Sequence, residues 1–357
     1  MTYANGDVYE GDWVNSFQHG KGKMKYANGD EFQGDWVNNN RHGSGKMIYV
    51  DKGIYIGEWQ SNMKHGKGCQ QFAKGNFYEG EWVSNTYHGI GKMTYEDGSS
   101  YDGRWQNNIK HGRGWQIHVN GDVYDGDWVS NYYHGKGKME YGDGSSYDGE
   151  WQNNMKHGEG CQKYVSGNIY KGDWVSNNHH GKGKMDYSDR SSYDGEWQNN
   201  MKHGEGWQIF ANGNVYKGQW SSNNFDGIGK MEYIDGSSYE GEWQSNNYHG
   251  QGKMIGNNED VHEGAFKNGL GHGMIKSLWS DGSEYVGEIS NTKKHGKGKL
   301  TFADGNIYEG EWQNDRYHGQ GKLTKVSGIL EGEWQNDRYH GEGKLALVSG
   351  EVHEGEW

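Results

Sequence analysis

Cysteine is scarce in this chain: Cys69 and Cys161 are the only two among 357 residues. Neither belongs to a Cys-x-x-Cys pair, which argues against redox work and leaves a buried or surface-patch role. No apolar run approaches the ~18 residues of a membrane-crossing helix. No Asn-x-Ser/Thr sequon occurs, although asparagine is abundant. Lysine and arginine never gather into a polybasic stretch, and the net charge is −13. Neither a nucleic-acid backbone nor simple adsorption to anionic lipid is therefore favoured. Hydrophobic residues amount to only 31%, too few for a large layered core. These absences lead to the expectation of a soluble, reduced, cytoplasmic protein with a thin interior.

What the chain has instead is rings, glycine and a period. Aromatic residues make up 14% and glycines number 63. The segment Tyr147–Gly160 holds the repeating unit: Tyr-x-Gly-x-Trp, then His-Gly-x-Gly. The first half opens at Tyr9 and returns every 23 residues through Phe32, Tyr101 and Tyr193 to Tyr308, then after 22 at Leu330 and finally at His353. The second half runs from His19 to His340, including His134-Gly135-x-Gly137 and His157-Gly158-x-Gly160. A fixed period of this size marks a repeat array. Met1 opens directly into a repeat, so residues 1–357 read as one continuous array. Residues 1–253 are regular. Over 254–289 the pattern degenerates, with His262, Phe266, His272 and Ile289 breaking the motif. Residues 290–357 are regular again and end in a half-repeat.

Each repeat contains two short runs of period-2 alternation, as in Asp7–Trp13 and Gly20–Tyr26, which predicts two β-strands and no helix. At Ala27-Asn28-Gly29, a three-residue loop with a left-handed glycine pairs Met24 with Phe32. A two-residue loop would throw the rings onto opposite faces. The three-residue register places Lys25 opposite Glu31 and Lys21 opposite Asp35. Val14–His19 reads as a longer polar loop. Gly11, Gly20 and Gly22 then supply bare backbone beside the rings. The expected fold is all-β: an elongated, single-layer antiparallel meander of about 15 hairpins. Two strands per repeat at ~4.8 Å spacing make it a rod on the order of 140 Å. The same spacing puts Cys69 and Cys161 roughly 38 Å apart, beyond disulfide reach.

A second rhythm overlies the first. The residue after His-Gly-x-Gly alternates Lys with Cys or Trp, as at Cys69, Lys92, Trp115, Lys138, Cys161, Lys184 and Trp207. Every second hairpin thus carries apolar groups on an otherwise charged face: Trp115, Ile117 and Val123, and again Trp207, Ile209 and Val215.

Tyr-x-Gly-x-Trp and His-Gly-x-Gly at this period resemble the MORN (membrane occupation and recognition nexus) repeat family over essentially the whole chain. The resemblance implies an elongated antiparallel ribbon of hairpins. It further implies a scaffold in cytoskeletal or membrane-associated assemblies, such as axonemal spoke heads and junctional-membrane tethers. Some members are modules of lipid kinases or lysine methyltransferases, but the repeats leave no room for such a domain here.

Successive motif histidines lie roughly 9–10 Å apart, too far to share a metal ion, and a loop-closing hydrogen bond is the expected role of His134 and His157. Glu10, Asp12, Glu150 and Glu311 are expected to face lysines across strands. No catalytic residue, cofactor site or metal site is expected. The candidate partner-binding residues are Trp115, Ile117, Val123, Trp207, Ile209 and Val215, together with the ring rows at Tyr147, Trp151, Tyr193 and Trp197. The rows form the core and a groove able to seat an apolar helix. The function expected is a non-enzymatic, protein-binding scaffold, dimeric through open strand edges. Two alternatives are a phosphoinositide- or membrane-targeting module and the regulatory subunit of a separate enzyme.

Overall fold

The computed structural model describes all 357 residues and contains 31 strands and no helix. The chain divides into two units, Met1–Asn178 and His179–Trp357. In the first, consecutive strands pair antiparallel from Val8–Val14 onward; in the second, the same pattern runs to Val352–Glu356. The expected all-β meander is thus what each unit forms.

One connection behaves as expected. Met24 pairs with Phe32, Lys25 with Glu31 and Lys21 with Asp35. The amide of Tyr26 donates to Asp30 O at 2.9 Å, and Gly29 takes φ +94°, closing a three-residue loop.

The other connection differs from the expected long loop. Val14 pairs directly with Phe17, leaving a two-residue turn, Asn15-Ser16, with both residues left-handed at φ 47° and 66°. Asn, Ser and Asp fill this turn in nearly every repeat, which forms the primed hairpin turn without glycine. The reason lies 21 residues away. Asn154 Oδ1 accepts the amide of Tyr133 at 2.7 Å, and the Asn154 amide donates to Tyr133 O at 3.1 Å. The turn asparagine therefore tolerates the left-handed backbone and also ties its hairpin to the preceding one.

The motif histidines consequently lie inside strands, not in loops. His134 pairs with Asp127, and the register slips by two residues before Gly137 pairs with Gly126. Gly135 at φ +60° makes this bulge possible, so the first motif glycine, like Gly20 at φ +69°, serves backbone conformation. At Gly20 the expected ring contact is absent: a Cβ there would meet Asp12. Asp127 Oδ2 accepts the bulged amide of Lys136 at 3.4 Å, and Glu242 Oε1 accepts that of Gln251 at 2.8 Å. Asp12 caps the Lys21 amide in the same way. Glu10, Glu150 and Glu311 do lie opposite Lys23, Lys136 and Lys297. The ion pairs that form include Lys21–Asp35 and Lys23–Glu31. At His134 the expected loop-closing bond is not made through Nδ1, which is buried without a hydrogen-bond partner there and at His19, His88, His180, His249 and His318.

The core is one face of the sheet. The second motif glycine pairs with glycines of both neighbouring strands, as Gly114–Gly126–Gly137–Gly149–Gly160. Over this bare row lies the motif tyrosine. Tyr147 is fully buried, its hydroxyl donates to Glu150 O at 3.0 Å, and a Cβ on Gly160 would collide with that hydroxyl. Each ring meets its own tryptophan and the next one edge-on; Tyr147 lies 5.0 Å from Trp151 and 5.3 Å from Trp174. Such contacts contribute about 1 kcal/mol each beyond area burial. Trp151 Nε1 donates to Gly137 O at 2.9 Å, which fixes the indole.

Candidate functional site

Two features of this sheet face outward: a strip beside the ring ladder, and apolar patches on the opposite face.

The strip is built from the residue before each motif histidine. Because the turn is only two residues long, this residue is drawn into the strand and points toward the rings. Its identity alternates through Lys64, Tyr87, Lys110 and Tyr133 to Lys156 in the first unit. Tyr87 and Tyr133 stack on Tyr78 and Tyr124 at 4.0 and 3.9 Å. The lysines enter ring cages: Lys110 Nζ lies 4.9 Å from both Tyr101 and Trp128, and 5.8 Å from Tyr95. Its ammonium also donates to Gln116 Oε1. Lys64–Gln70, Lys156–Gln162 and, in the second unit, Lys202–Gln208 repeat the arrangement. Glutamine stands there only where lysine precedes it, while methionine occupies the same site under Tyr87 and Tyr133, at Met93 and Met139. Burial pulls the ammonium groups of Lys64, Lys110, Lys156 and Lys202 down to about 8. The ring faces and the glutamine oxygen hold the charged form against that pull. Burial also lowers His118, whose Nε2 bonds the Tyr133 hydroxyl at 2.5 Å.

This strip is absent from the sequence-based candidates, yet its signal is present. Reading every residue before a motif histidine as a column reveals the alternation of lysine and ring, in phase with the Gln/Met column six residues later.

Of the sequence-based candidates, Trp115 and Trp207 are 42% and 50% exposed. Trp115 lies between Asp102 and Asp125 across the strands, and Ile117 pairs with Val123. In the second unit Trp207 lies between Asp194 and Lys217, and Ile209 pairs with Val215. Each indole is therefore an apolar island among charges, with an aliphatic pair beside it. Ile56 and Ile90, each about half exposed, add a patch around Cys69 on the same side. Tyr147, Trp151, Tyr193 and Trp197 are buried in the ladder, the core half of their expected double role. His134, Gly135, His157 and Gly158 build the bulges, and Gly137 and Gly160 belong to the bare row under the rings. Cys69 and Cys161 are free thiols. No helix is long and apolar enough to cross a membrane.

No curated protein matches the chain. Among solved structures, it is similar to the TCP10 domain of Danio rerio CPAP in complex with a peptide of Danio rerio STIL. That likeness has 9% identity and a TM-score of 0.33, covering 68% of this chain and 98% of that one. It is also similar to the SAS-4 TCP domain of Drosophila melanogaster in complex with a proline-rich motif of Ana2, at 15% identity and a TM-score of 0.28, covering 48% and 88%. A streptogramin B lyase structure follows at 14% identity and a TM-score of 0.14, covering 80% and 88%. The decisive match is to a sequence family. Fifteen segments, from residues 9–31 to 331–352, fit the MORN repeat, and the glycine row, ring ladder and histidine bulge recur through most of them: the chain belongs to the MORN repeat family.

Proposed function

We propose that this chain is a non-catalytic scaffold that binds partner proteins through the surfaces its repeats leave uncommitted. The observation that carries this reading is how the motif residues are spent. Tyrosine and tryptophan go into the core, histidine and the first glycine into the bulge, and the acidic residue before tryptophan into capping the bulged amide. What remains exposed and apolar is Trp115 and Trp207 with their aliphatic neighbours, and aromatic side chains of this kind are common binding anchors. A cytoplasmic, cytoskeletal or membrane-associated assembly and a homodimer belong to the same reading.

Replacing Trp115 and Trp207 by Lys tests it. Partner capture from a matched extract, read by quantitative proteomics with and without the double variant, is expected to lose a defined set of proteins. Sedimentation analysis follows the dimer in parallel. Unchanged partners together with unchanged mass would sink the proposal. Liposome co-sedimentation at physiological salt is expected to leave the acidic chain in the supernatant; binding to phosphoinositide vesicles would favour the membrane-targeting alternative instead.

A further inference from the structure

The hairpin of strands Val261–Lys267 and Leu270–Leu278 departs from the repeat at several core positions, and most of the changes answer one another. His262 replaces the motif tyrosine, and Ile275 replaces the glycine that a tyrosine would cover. Ile275 is buried between Gly264 and Gly287, filling the space the phenol has left. Phe266 and Ile289 stand in for successive tryptophans. One change is unanswered. Gly271 occupies the strip position held by Tyr248 one repeat earlier and Lys294 one repeat later. Gly256 likewise stands where Tyr233 and Trp279 stand on either side. The side chain absent at Gly271 leaves a cavity of about 310 Å³, walled by Met254, Phe266, Ile275, Trp279, Ile289 and Lys294.

We propose that this cavity is a binding slot for one aromatic ring, carried by a side chain of a partner protein and entering the place that Gly271 leaves open. The repeat itself supplies the template. Tyr87, Tyr133, Phe225, Tyr248 and Tyr317 fill the equivalent place and stack on their motif rings at 3.7–4.0 Å. The slot's volume is at the small end of ligand pockets, about 300 Å³, and suits one side chain. Lys294 adds a preference. It lies 5.2–5.6 Å from Trp279, Tyr285 and Trp312, but Leu300 stands where the other caged lysines have glutamine. Its nearest carboxylate oxygen, on Asp315, is 4.0 Å away. In the strip Lys110 has Tyr87 and Tyr133 as its two neighbours, whereas Lys294 has Tyr317 on one side and Gly271 on the other. The three rings around Lys294 match those around Lys110, so its cage lacks only the glutamine acceptor; a second ammonium in the slot would meet its charge, which an uncharged ring does not. The polar pair at the back, His262 Nδ1 and Ser277 Oγ at 2.8 Å, is satisfied internally and makes no demand on the ligand.

That the ring comes from a protein rests on the scaffold reading above; the slot's preference for a ring does not. The test uses the full chain titrated by calorimetry and ligand-observed NMR. The probes are N-acetyl-phenylalaninamide, N-acetyl-leucinamide and N-acetyl-lysinamide, and a Gly-Ser decapeptide with one central Phe. The phenylalanine amide is expected to bind at least tenfold more tightly than the other two, and the peptide to compete with it. Gly271→Tyr fills the slot from within: its Cβ crowds the free end of the Ile289 side chain and otherwise makes ordinary contact with Ile275, and Gly271 has no left-handed backbone to strain. This variant is expected to abolish ring binding without lowering the unfolding midpoint. Ile289→Trp, which restores the repeat's own residue, is a second blocking variant expected to give the same loss. Absence of ring preference, or ring binding undiminished in both variants, overturns the slot. Binding of the amide without the peptide overturns the protein source alone. Retained ring binding in the Trp115→Lys, Trp207→Lys variant, whatever its partners do, separates this inference from the scaffold proposal.

Discussion

The hairpin Ser146–Gln152 with Met155–Lys163 and the hairpin Val261–Lys267 with Leu270–Leu278 have the same two-residue turn and the same bulge position. In the first, Tyr147 lies over Gly149 and Gly160, and Lys156 closes the cage. In the second, His262 reaches less far, Ile275 rises to meet it, and nothing closes the cage at Gly271. The difference teaches that ring and glycine form one packing unit. A shorter ring is tolerated when the glycine beneath gains a side chain, and the backbone ladder does not change. Ile275 is the only residue other than glycine in its row of strand partners, from Gly183 to Gly355 in the second unit.

The largest expected effect is from making the irregular hairpin regular at one position only. Ile275→Gly removes a buried side chain with no phenol to replace it, and should cost about 4 kcal/mol of local stability, read by hydrogen exchange across both strands. Loss of under about 1 kcal/mol would show that His262 can relax into the space. The converse change, Gly160→Ala, drives a Cβ into the Tyr147 ring and should cost about 2–3 kcal/mol at that hairpin. Gly160→Ala combined with Tyr147→His should recover part of it, since the pair then imitates the irregular hairpin; additivity of the two losses would break the comparison.

A smaller effect is expected at the turns. Asn154→Ala leaves the Tyr133 amide without its side-chain acceptor and places alanine at φ 66°, a cost of about 1–2 kcal/mol that should deprotect the preceding hairpin as well. Gly269, the counterpart in the irregular hairpin, keeps only the backbone half of this tie, through its amide to Tyr248 O.

The smallest effect at neutral pH is at the cage. Lys156→Met keeps the volume and should leave the urea midpoint nearly unchanged at pH 7. Its signature is in the pH profile. A caged lysine titrating near 8 folded and at its ordinary 10.5 unfolded binds fewer protons in the native state, so native stability rises between those values. Above pH 10 the sign reverses, because unfolded tyrosines ionise while burial holds Tyr147 and its equivalents protonated. The expected profile climbs from pH 8 to near 10 and then falls, and Lys156→Met should flatten its share of the climb. A flat wild-type profile over that range would show that rings and glutamine fully offset the burial.

The three-residue loop, the register and the single ring face were legible because each is local: alternation, one glycine and one cross-strand pair decide them. The second turn was not. It carries asparagine and serine in place of glycine, and the amide that donates to its asparagine lies 21 residues away, which no window of one hairpin contains. Missing that turn hid the strip, since the residue before each histidine enters the core side only when the strand begins immediately after the turn. The motif histidines were misplaced for the same reason. The ring rows were recognised as core, but that they would be wholly covered depended on the stacked tyrosines and caged lysines of the unseen strip.

By itself the amino-acid order determined a β-meander with rings on one side, because side-chain alternation and steric fit between a ring and bare backbone act over a few residues. Tertiary contact decided which residues cover those rings and where a place stands empty. Those depend on neighbouring hairpins meeting side by side, where a glycine at 271 becomes a cavity only against Ile289 and Trp279.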